Sequence, residues 1–235
     1  MNKKYFTDNA SKKIFIHRMF DDISIRYDFL NRVISFGSDG YLRKKTIAPH
    51  INDKTVLDIC SGTGDLSRML LKQPDFNGVV ILGDFSKGMI RLASQKFAAN
   101  DNVFYVLCDA EDLPFKGSSF DGIINGYALR NLTDIEAFGA EIHRTLMPSG
   151  KSSIIDFAHP PGKLFAWLFH LYFYKILPLL SRLFTKKNYA YRYLPDSLKA
   201  FLKQDEILKT LKQDRLSGHY ENILKGAVAI YRLRK

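Results

Sequence analysis

The chain has few of the features that mark secreted, disulfide-bonded or metal-binding proteins. Its 235 residues include only two cysteines, Cys60 and Cys108, which is too few for a disulfide framework and lacks metal-ligand spacing. Both cysteines fall at the ends of predicted strands, so we expect reduced thiols and no bound metal. The first residues lack the apolar core of a secretion signal, and we expect a cytoplasmic location.

Uninterrupted apolar runs of membrane-spanning length are also missing. The most apolar stretch, residues 163–184, is interrupted by His170, Lys175 and Pro178, whereas a span needs about 20 apolar residues. A central Lys costs about 3 kcal/mol on membrane insertion, so we exclude a span. The stretch is rich in aromatics and predicts an interfacial or substrate-covering pair of helices, although packing against the sheet explains the same composition.

Acidic residues are outnumbered by basic ones, 24 to 35, and the net charge is +11. This balance favours polyanions, either nucleic acid or the anionic inner face of a cytoplasmic membrane, but a solvated basic surface has the same composition. The hydrophobic content of 46% is enough to bury one substantial core. We therefore expect one domain over residues 1–235.

The stretch with the clearest chemical meaning is a glycine turn between a predicted strand and a predicted helix. Residues 55–59 are apolar or β-branched, as in a strand buried on both faces. Gly62 and Gly64 break the run, and apolar residues at helical spacing follow. Glycines here let the backbone approach a ligand, and the start of the helix offers unpaired N–H groups.

The residues around this turn distinguish between cofactor classes. Asp84 lies about 20 residues beyond Gly64, at the end of the next apolar run, where a carboxylate accepts hydrogen bonds from both hydroxyls of a ribose. A dinucleotide fingerprint needs a third glycine, but Ser67 takes its place. Asp58 and Asp65 would repel a pyrophosphate and suit the cationic amino-acid end of S-adenosylmethionine. A nicotinamide-dependent oxidoreductase is the weaker alternative.

Strands and helices alternate from residue 55 to residue 157, which predicts a doubly wound, mostly parallel α/β sheet. A last strand over 227–232 is expected to be antiparallel to the rest. Residues 11–47 have helical periodicity and form either a lid, with Tyr27, Asp28 and Asn31 facing the cofactor cleft, or an amphipathic helix packed on the domain. Residues 163–211 are expected to form a helical insertion, with one helix over 198–211.

Further candidate residues follow the carboxyl ends of the predicted strands, where open α/β sheets bind ligands. Met89 is placed either to lie against an adenine or to pack in the core. Asp109, or its neighbouring backbone, is expected to pair with the exocyclic amine of the adenine. Arg130 and Asn131 are candidates to face the substrate, unless Arg130 pairs with a nearby acid such as Asp28.

Together these segments resemble the ubiquinone/menaquinone biosynthesis C-methyltransferase family, within the class I S-adenosylmethionine-dependent methyltransferases. The resemblance runs from about residue 19 to residue 232. The glycine turn and Asp84 are common to the whole superfamily. Two segments are more specific. One runs from Leu113-Pro114-Phe115 through Phe120-Asp121 to Leu129-Arg130-Asn131-Leu132-Thr133-Asp134, and the other is Tyr191-Arg192-Tyr193-Leu194 with Ser197.

The resemblance implies methylation of a ring carbon on a demethylated prenyl quinol, with S-adenosylmethionine as the cofactor. It also implies cofactor contacts at Thr63, at Asp84, at Asp109 with Ala110, and at Gly126. Gly126 departs from the family, which often has a serine here, so only its backbone remains available. The prenyl tail gives residues 163–184 a function in shielding the tail or in docking on a membrane.

For the chemistry, we expect Arg130 to stabilise a developing phenolate, and Asn131 and Tyr27 to orient it. His143 is the titrating alternative, but its position within a predicted helix favours a surface or packing role. An RNA methyltransferase is the runner-up, opposed by scattered basic residues and by the lack of an Asn-Pro-Pro-Tyr-type motif, so no nucleic acid is expected. A non-catalytic binding protein is a further alternative. The quinone type and the oligomeric state are left open.

Overall fold

The computed structural model describes residues 5–23, 37–176, 189–213 and 215–235. Tyr27, Asp28 and Asn31 of the predicted lid therefore lie outside the described residues. The helices are α1 (Asn9–Ile23), α2 (Asp39–Ile47), α3 (Asp65–Leu71), α4 (Lys87–Lys96), α5 (Ile135–Thr145), α6 (Lys163–Leu171), α7 (Tyr189–Lys199) and α8 (Gln204–Lys212). The strands are β1 (Thr55–Ile59), β2 (Val79–Asp84), β3 (Val103–Leu107), β4 (Phe120–Gly126), β5 (Leu146–Phe157), β6 (Ser217–Ile223) and β7 (Val228–Arg234).

The strands of the described residues form one seven-stranded sheet in the order β3-β2-β1-β4-β5-β7-β6. Neighbours from β3 to β5 are parallel, whereas β7 is antiparallel to both β5 and β6. The chain moves outward from β1 to β3 and then returns to place β4 on the other side of β1. This reversal opens a crevice at the carboxyl ends of β1 and β4, where sheets of this kind bind ligands.

The prediction of a doubly wound, mostly parallel sheet with an antiparallel last strand is confirmed. The predicted single helix over 198–211 is wrong, because the chain forms α7 and α8 with a break between them. At the break Lys203 has an extended backbone (ψ 160°), and its N–H donates to the Glu206 side chain at 2.9 Å. This cap starts a new helix.

Strand β6 was missed because its sequence, Ser-Gly-His-Tyr-Glu-Asn-Ile, carries little apolar signal. It lies at the edge of the sheet and pairs with β7 along its whole length, from Ser217 opposite Arg234 to Ile223 opposite Val228. An edge strand exposes one side to water, and polar residues there are the usual protection against pairing with other chains.

A buried polar network fixes the amino ends of the strands. His50 is fully buried, with Nδ1 2.7 Å from Asp53 and Nε2 2.8 Å from the hydroxyl of Ser153. Lys151 donates to Asp53 at 2.6 Å, and Arg232 donates to the Ser153 hydroxyl at 2.6 Å. Burial lowers the pKa of His50, so the ring is neutral and donates from Nδ1. Because Ser153 is also buried, this Ser-His-Asp arrangement is a structural one.

Gly122 on β4 leaves the space that this network occupies. A Cβ at this position would lie 2.2 Å from Asp53 Oδ2 and 2.5 Å from His50 Nδ1. We expect Gly122→Ala to lower the free energy of unfolding by about 3 kcal/mol or more, because it displaces the buried Asp53 carboxylate from its hydrogen bonds with His50 and Lys151. Urea unfolding followed by circular dichroism measures the change.

Gly40→Ala in α2 is the matched control, because an added Cβ there has nothing within 4 Å. The control should lose no stability, since alanine favours helix over glycine. Equal unfolding midpoints for Gly122→Ala and Gly40→Ala would show that the network does not need a residue without a side chain at position 122.

Candidate active site

A cavity of about 430 Å³ lies at the carboxyl ends of β1 to β4, beneath helix α1. The strand ends contribute Gly62, Asp84, Asp109 and Gly126 to its lining, and α1 contributes Lys13 and His17. The sheet topology places these residues together although they are far apart in sequence. With Met89 and Ala110, six of the nine candidate cofactor positions thus share one space.

Asp84 is the buried carboxylate of this cavity, with 5% of its surface exposed. Its Oδ2 accepts from the N–H of Gly62 at 2.8 Å, and its Oδ1 accepts from the N–H of Ser86 at 2.9 Å. Burial raises the pKa of Asp84 to about 6. Each oxygen keeps a second lone pair, so the carboxylate can accept further hydrogen bonds from a ligand.

The residues of the glycine turn have different positions. Gly62 lines the cavity with φ +56°. Gly64 has φ +80° and does not line the cavity, and a Cβ there would lie 2.5 Å from Leu82 and 2.6 Å from Phe97. Thr63 is also outside the lining; its backbone and side-chain oxygens both accept from Lys96 at 3.1 Å. Gly64 is therefore required by packing, and of these three only Gly62 faces the ligand space.

Asp58 lies behind the turn, almost fully buried. Its Oδ2 accepts from the N–H of Ser67 at 3.2 Å and from the Ser67 hydroxyl at 2.6 Å. Burial raises the pKa of Asp58 to about 7. Ser67, which replaces the third glycine of a dinucleotide fingerprint, thus ties α3 to β1, and Asp58 does not line the cavity.

Apolar residues make up another part of the cavity lining, among them Met89, Ala110 and Phe85. Met89 is 1% exposed, and its N–H donates to the Ser86 hydroxyl that caps α4. Asp109 is at the rim of this region, with its side chain 44% exposed. An apolar slot with a carboxylate at its rim suits an adenine and its amino group.

Helix α1 covers the cavity and is attached at both sides. Lys13 contacts Asp109 at 2.7 Å and Glu111 at 2.8 Å. At the other side Asp21 accepts a hydrogen bond from Ser86, beside Asp84. Sequence reasoning missed Lys13 and Glu111, because the salt bridge joins residues about 100 positions apart and no local pattern signals it.

Arg130 and Asn131 occupy the short helical turn that follows β4. The guanidinium of Arg130 pairs with Asp156 at the end of β5 and lies over the Phe157 ring at 5.2 Å. Arg130 therefore has an acidic partner, but within the described residues it is Asp156. Arg130 does not line the cavity, whereas Asn131 does, and its Oδ1 is buried with no partner among the described residues.

Gly126 and Tyr127 form the cavity wall next to this turn. A Cβ at Gly126 would lie 3.1 Å from Leu66 and 3.7 Å from Ile155, so a serine fits if Leu66 moves slightly. Tyr127 has φ +62°, a strained backbone for a bulky residue. Its ring lies between Arg43 at 5.9 Å and Phe157 at 5.2 Å. His143 on α5 does not line the cavity.

The model of the ubiE/COQ5 methyltransferase family matches residues 7–235 of the chain. This protein belongs to that family. A relative from Geotalea daltonii, named ubiquinone/menaquinone biosynthesis C-methyltransferase UbiE, is 39% identical over 202 residues, which cover 83% of this chain and 85% of the relative. The demethylmenaquinone methyltransferase of Thermus thermophilus is 34% identical, over 91% of this chain and 98% of the relative.

Solved structures share the fold of this family member at low sequence identity. The [4+2]-cyclase SpnF has a TM-score of 0.68 and 13% identity, with 94% of each chain covered. A SAM-dependent methyltransferase from Thermotoga maritima has a TM-score of 0.64 and 16% identity, over 94% of this chain and 99% of the other. These similarities show a Rossmann-like methyltransferase fold.

As a member of the ubiE/COQ5 family, the chain is an S-adenosylmethionine-dependent methyltransferase. The cavity fits this cofactor, because it combines a buried carboxylate at Asp84, the close backbone of Gly62 and an apolar slot at Met89. The acidic rim at Asp109 and Glu111 adds negative charge for a cationic ligand. The cofactor predicted from the sequence is confirmed, and the role of each side chain stays a prediction.

The pKa of about 6 at Asp84 predicts a pH-dependent affinity for the cofactor. An ionised carboxylate accepts from both ribose hydroxyls, and a protonated one loses acceptor capacity. Affinity should therefore be constant above pH 7 and fall below pH 6 by up to about tenfold per pH unit. Calorimetric titration with S-adenosylhomocysteine from pH 5 to 8 measures this.

Asp84→Asn is the control for this titration, because it keeps the size of the side chain and cannot ionise. Its affinity should be lower by about tenfold at pH 7.5 and change little with pH. An unchanged pH profile in the variant would assign the titration to another group.

Proposed function

We propose that the enzyme transfers the methyl group to a ring carbon of a demethylated prenyl quinol. Demethylmenaquinol is the main candidate acceptor, and a ubiquinone precursor is the alternative. The observation that carries the proposal is the polar corner at Asn131, beside the Arg130–Asp156 pair, in a cavity otherwise lined largely by apolar groups. The names of the relatives from T. thermophilus and Staphylococcus aureus, both demethylmenaquinone methyltransferases, support the same acceptor class.

The bound cofactor supplies an electrophilic methyl group on its sulfonium, so the protein contributes position and electrostatics. A quinol ring carbon becomes nucleophilic when the neighbouring phenol loses its proton. The pairing of the Arg130 guanidinium with buried Asp156 fixes its orientation. The positive charge of Arg130 favours the phenolate, and the free Oδ1 of Asn131 orients the neutral ring by accepting a hydrogen bond from its hydroxyl.

Arg130→Lys tests this assignment without leaving Asp156 unpaired. Lysine keeps the positive charge, but it loses the planar donors that position the phenolate. We expect turnover to fall by about 100-fold, with cofactor affinity within twofold of the wild type. Single-turnover methyl transfer and calorimetric titration provide the two values. Equal losses in both would contradict a role directed at the acceptor.

The acceptor itself is tested with labelled S-adenosylmethionine. Chemically reduced demethylmenaquinone, a reduced demethylated ubiquinone precursor and total RNA are offered side by side. We expect label in a quinol, with the larger rate for demethylmenaquinol. Label in RNA, or no label in any acceptor despite cofactor binding, would contradict the proposed acceptor class.

We also propose that α6 contacts an anionic membrane surface, where a prenyl quinol resides. Exposed apolar residues form one stripe along this helix, with Leu164 at 75%, Trp167 at 59% and Leu168 at 48% exposure. Lys163, the first residue of α6, and Lys175, four residues beyond its end, are exposed. No helix of the described residues has the length and apolar character needed to cross a bilayer. An amphipathic helix with flanking lysines suits peripheral contact.

The double variant Trp167→Ser, Leu168→Ser removes the centre of this stripe. Binding to vesicles that contain anionic lipid should weaken about tenfold, because two large apolar side chains no longer enter the interface. Vesicle co-sedimentation measures binding, and higher salt should weaken it further. The double variant Phe104→Ser, Leu107→Ser on edge strand β3 removes two equally exposed apolar residues and should bind like the wild type. Equal losses in both variants would contradict α6 as the contact.

A further inference from the structure

Three buried polar atoms on the turn after β4 and on α7 have no hydrogen-bond partner among the described residues. They are Nε of Arg130, Oδ1 of Asn131 and the hydroxyl of Tyr193. Tyr193 is only 2% exposed, so bulk water does not reach its side chain freely. Buried polar groups in folded proteins are nearly always paired, so unpaired ones that cluster beside a ligand cavity are candidates to bind a ligand.

The three atoms lie on two elements that pack against each other. Arg130 and Asn131 are on the turn after β4, and Tyr193 is on α7, which contacts this turn. The charges of Arg130 and Asp156 act on the Tyr193 hydroxyl. Asn131 lines the cavity, whereas Arg130 and Tyr193 do not, so Asn131 connects these atoms with the space in which the acceptor would bind.

The Tyr193 ring is held in place by other aromatic residues. Its centroid is 5.5 Å from Tyr5, edge to face, and 5.3 Å from Phe15 on α1. Burial raises the pKa of Tyr193, which keeps the hydroxyl protonated and able to donate. The side chain is therefore a fixed donor at the junction of α1, α7 and the β4 turn.

The donor and acceptor pattern of the three atoms matches a ligand hydroxyl. Arg130 Nε and Tyr193 OH are donors, and Asn131 Oδ1 is an acceptor. A phenolic hydroxyl accepts two hydrogen bonds and donates one, which satisfies all three atoms. A quinone carbonyl accepts from both donors but cannot donate to Asn131, and a methyl ether has no proton to donate either.

We propose that Tyr193 is a further substrate-binding residue, which donates a hydrogen bond to the ring hydroxyl of a reduced quinol together with Arg130. This inference rests on the proposed function, because it locates the acceptor ring of that reaction. It also implies that the site prefers the reduced quinol to the oxidised quinone. The Tyr193 hydroxyl continues to stabilise the ring oxygen when that oxygen becomes a phenolate.

Ring compounds without a prenyl tail test the subsite apart from methyl transfer. With S-adenosylhomocysteine present under anaerobic conditions, the wild type should bind 1,4-dihydroxynaphthalene at least tenfold more tightly than 1,4-dimethoxynaphthalene or 1,4-naphthoquinone. Tyr193→Phe should reduce the affinity for the dihydroxy compound about tenfold and leave the affinity for the other two unchanged. Fluorescence titration measures all three compounds.

The Tyr193→Phe variant removes a hydroxyl that has no partner among the described residues, so its thermal midpoint and cofactor affinity should not fall. Tyr231→Phe is the matched control, because Tyr231 is also fully buried with an unpartnered hydroxyl but packs in the core beneath α5 and α8. It should bind all three compounds like the wild type. With demethylmenaquinol, kcat/KM should fall about tenfold in Tyr193→Phe alone.

Unchanged affinity of Tyr193→Phe for the dihydroxy compound would overturn the inference. Equal losses for the dihydroxy and dimethoxy compounds would also overturn it, because they would assign the effect to ring shape. If no quinol is methylated but the hydroxyl preference and its loss in Tyr193→Phe are observed, the proposed acceptor fails and the phenol subsite stands.

Discussion

The buried carboxylate of Asp84 is the interaction on which the site depends. Its two oxygens accept the N–H groups of Gly62 and Ser86, which fixes the β1 turn and the start of α4 relative to each other. Ser86 in turn donates to Asp21 on α1, so the covering helix is attached to the same point. A carboxylate this deeply buried is unfavourable unless it is hydrogen-bonded. Asp84 also lines the cofactor cavity, so its remaining lone pairs are available to a ligand.

The two ends of the sheet have opposite polar character. At the amino ends, His50, Asp53 and Ser153 form a network in which each side chain has a partner. At the carboxyl ends, Asn131 and Tyr193 keep polar atoms that have none within the described residues. A fully paired network stabilises a fold, whereas unpaired groups at a cavity are available to a ligand. The side chains that stabilise the fold and those that are available to a ligand thus lie at opposite ends of the strands.

Much of the fold follows from local sequence signals. The apolar runs of β1 and β2, the glycine turn and the capping residues Ser86 and Asp134 each mark an element, because the residue types there satisfy local backbone requirements. The site was predictable to the extent that strand ends meet at one edge, which is how Asp84 and Asp109 were found, whereas Gly126 followed from the resemblance to the family. Contacts between distant segments were not predictable. The pairing of Arg130 with Asp156 depends on the register of β4 with β5, in which Gly126 lies opposite Ile155, and the salt bridge from Lys13 depends on where α1 docks.

The most direct test of the role of Asp84 is a crystal structure of the enzyme with S-adenosylhomocysteine. We expect both ribose hydroxyls within about 3 Å of the Asp84 carboxylate, as hydrogen bonding requires. We also expect the adenine between Met89 and the Asp109 rim, and the amino-acid end of the cofactor on the side of Gly62. A ligand seated elsewhere, or a ribose that leaves Asp84 bonded only to Gly62 and Ser86, would contradict the central claim that this carboxylate organises the cofactor site.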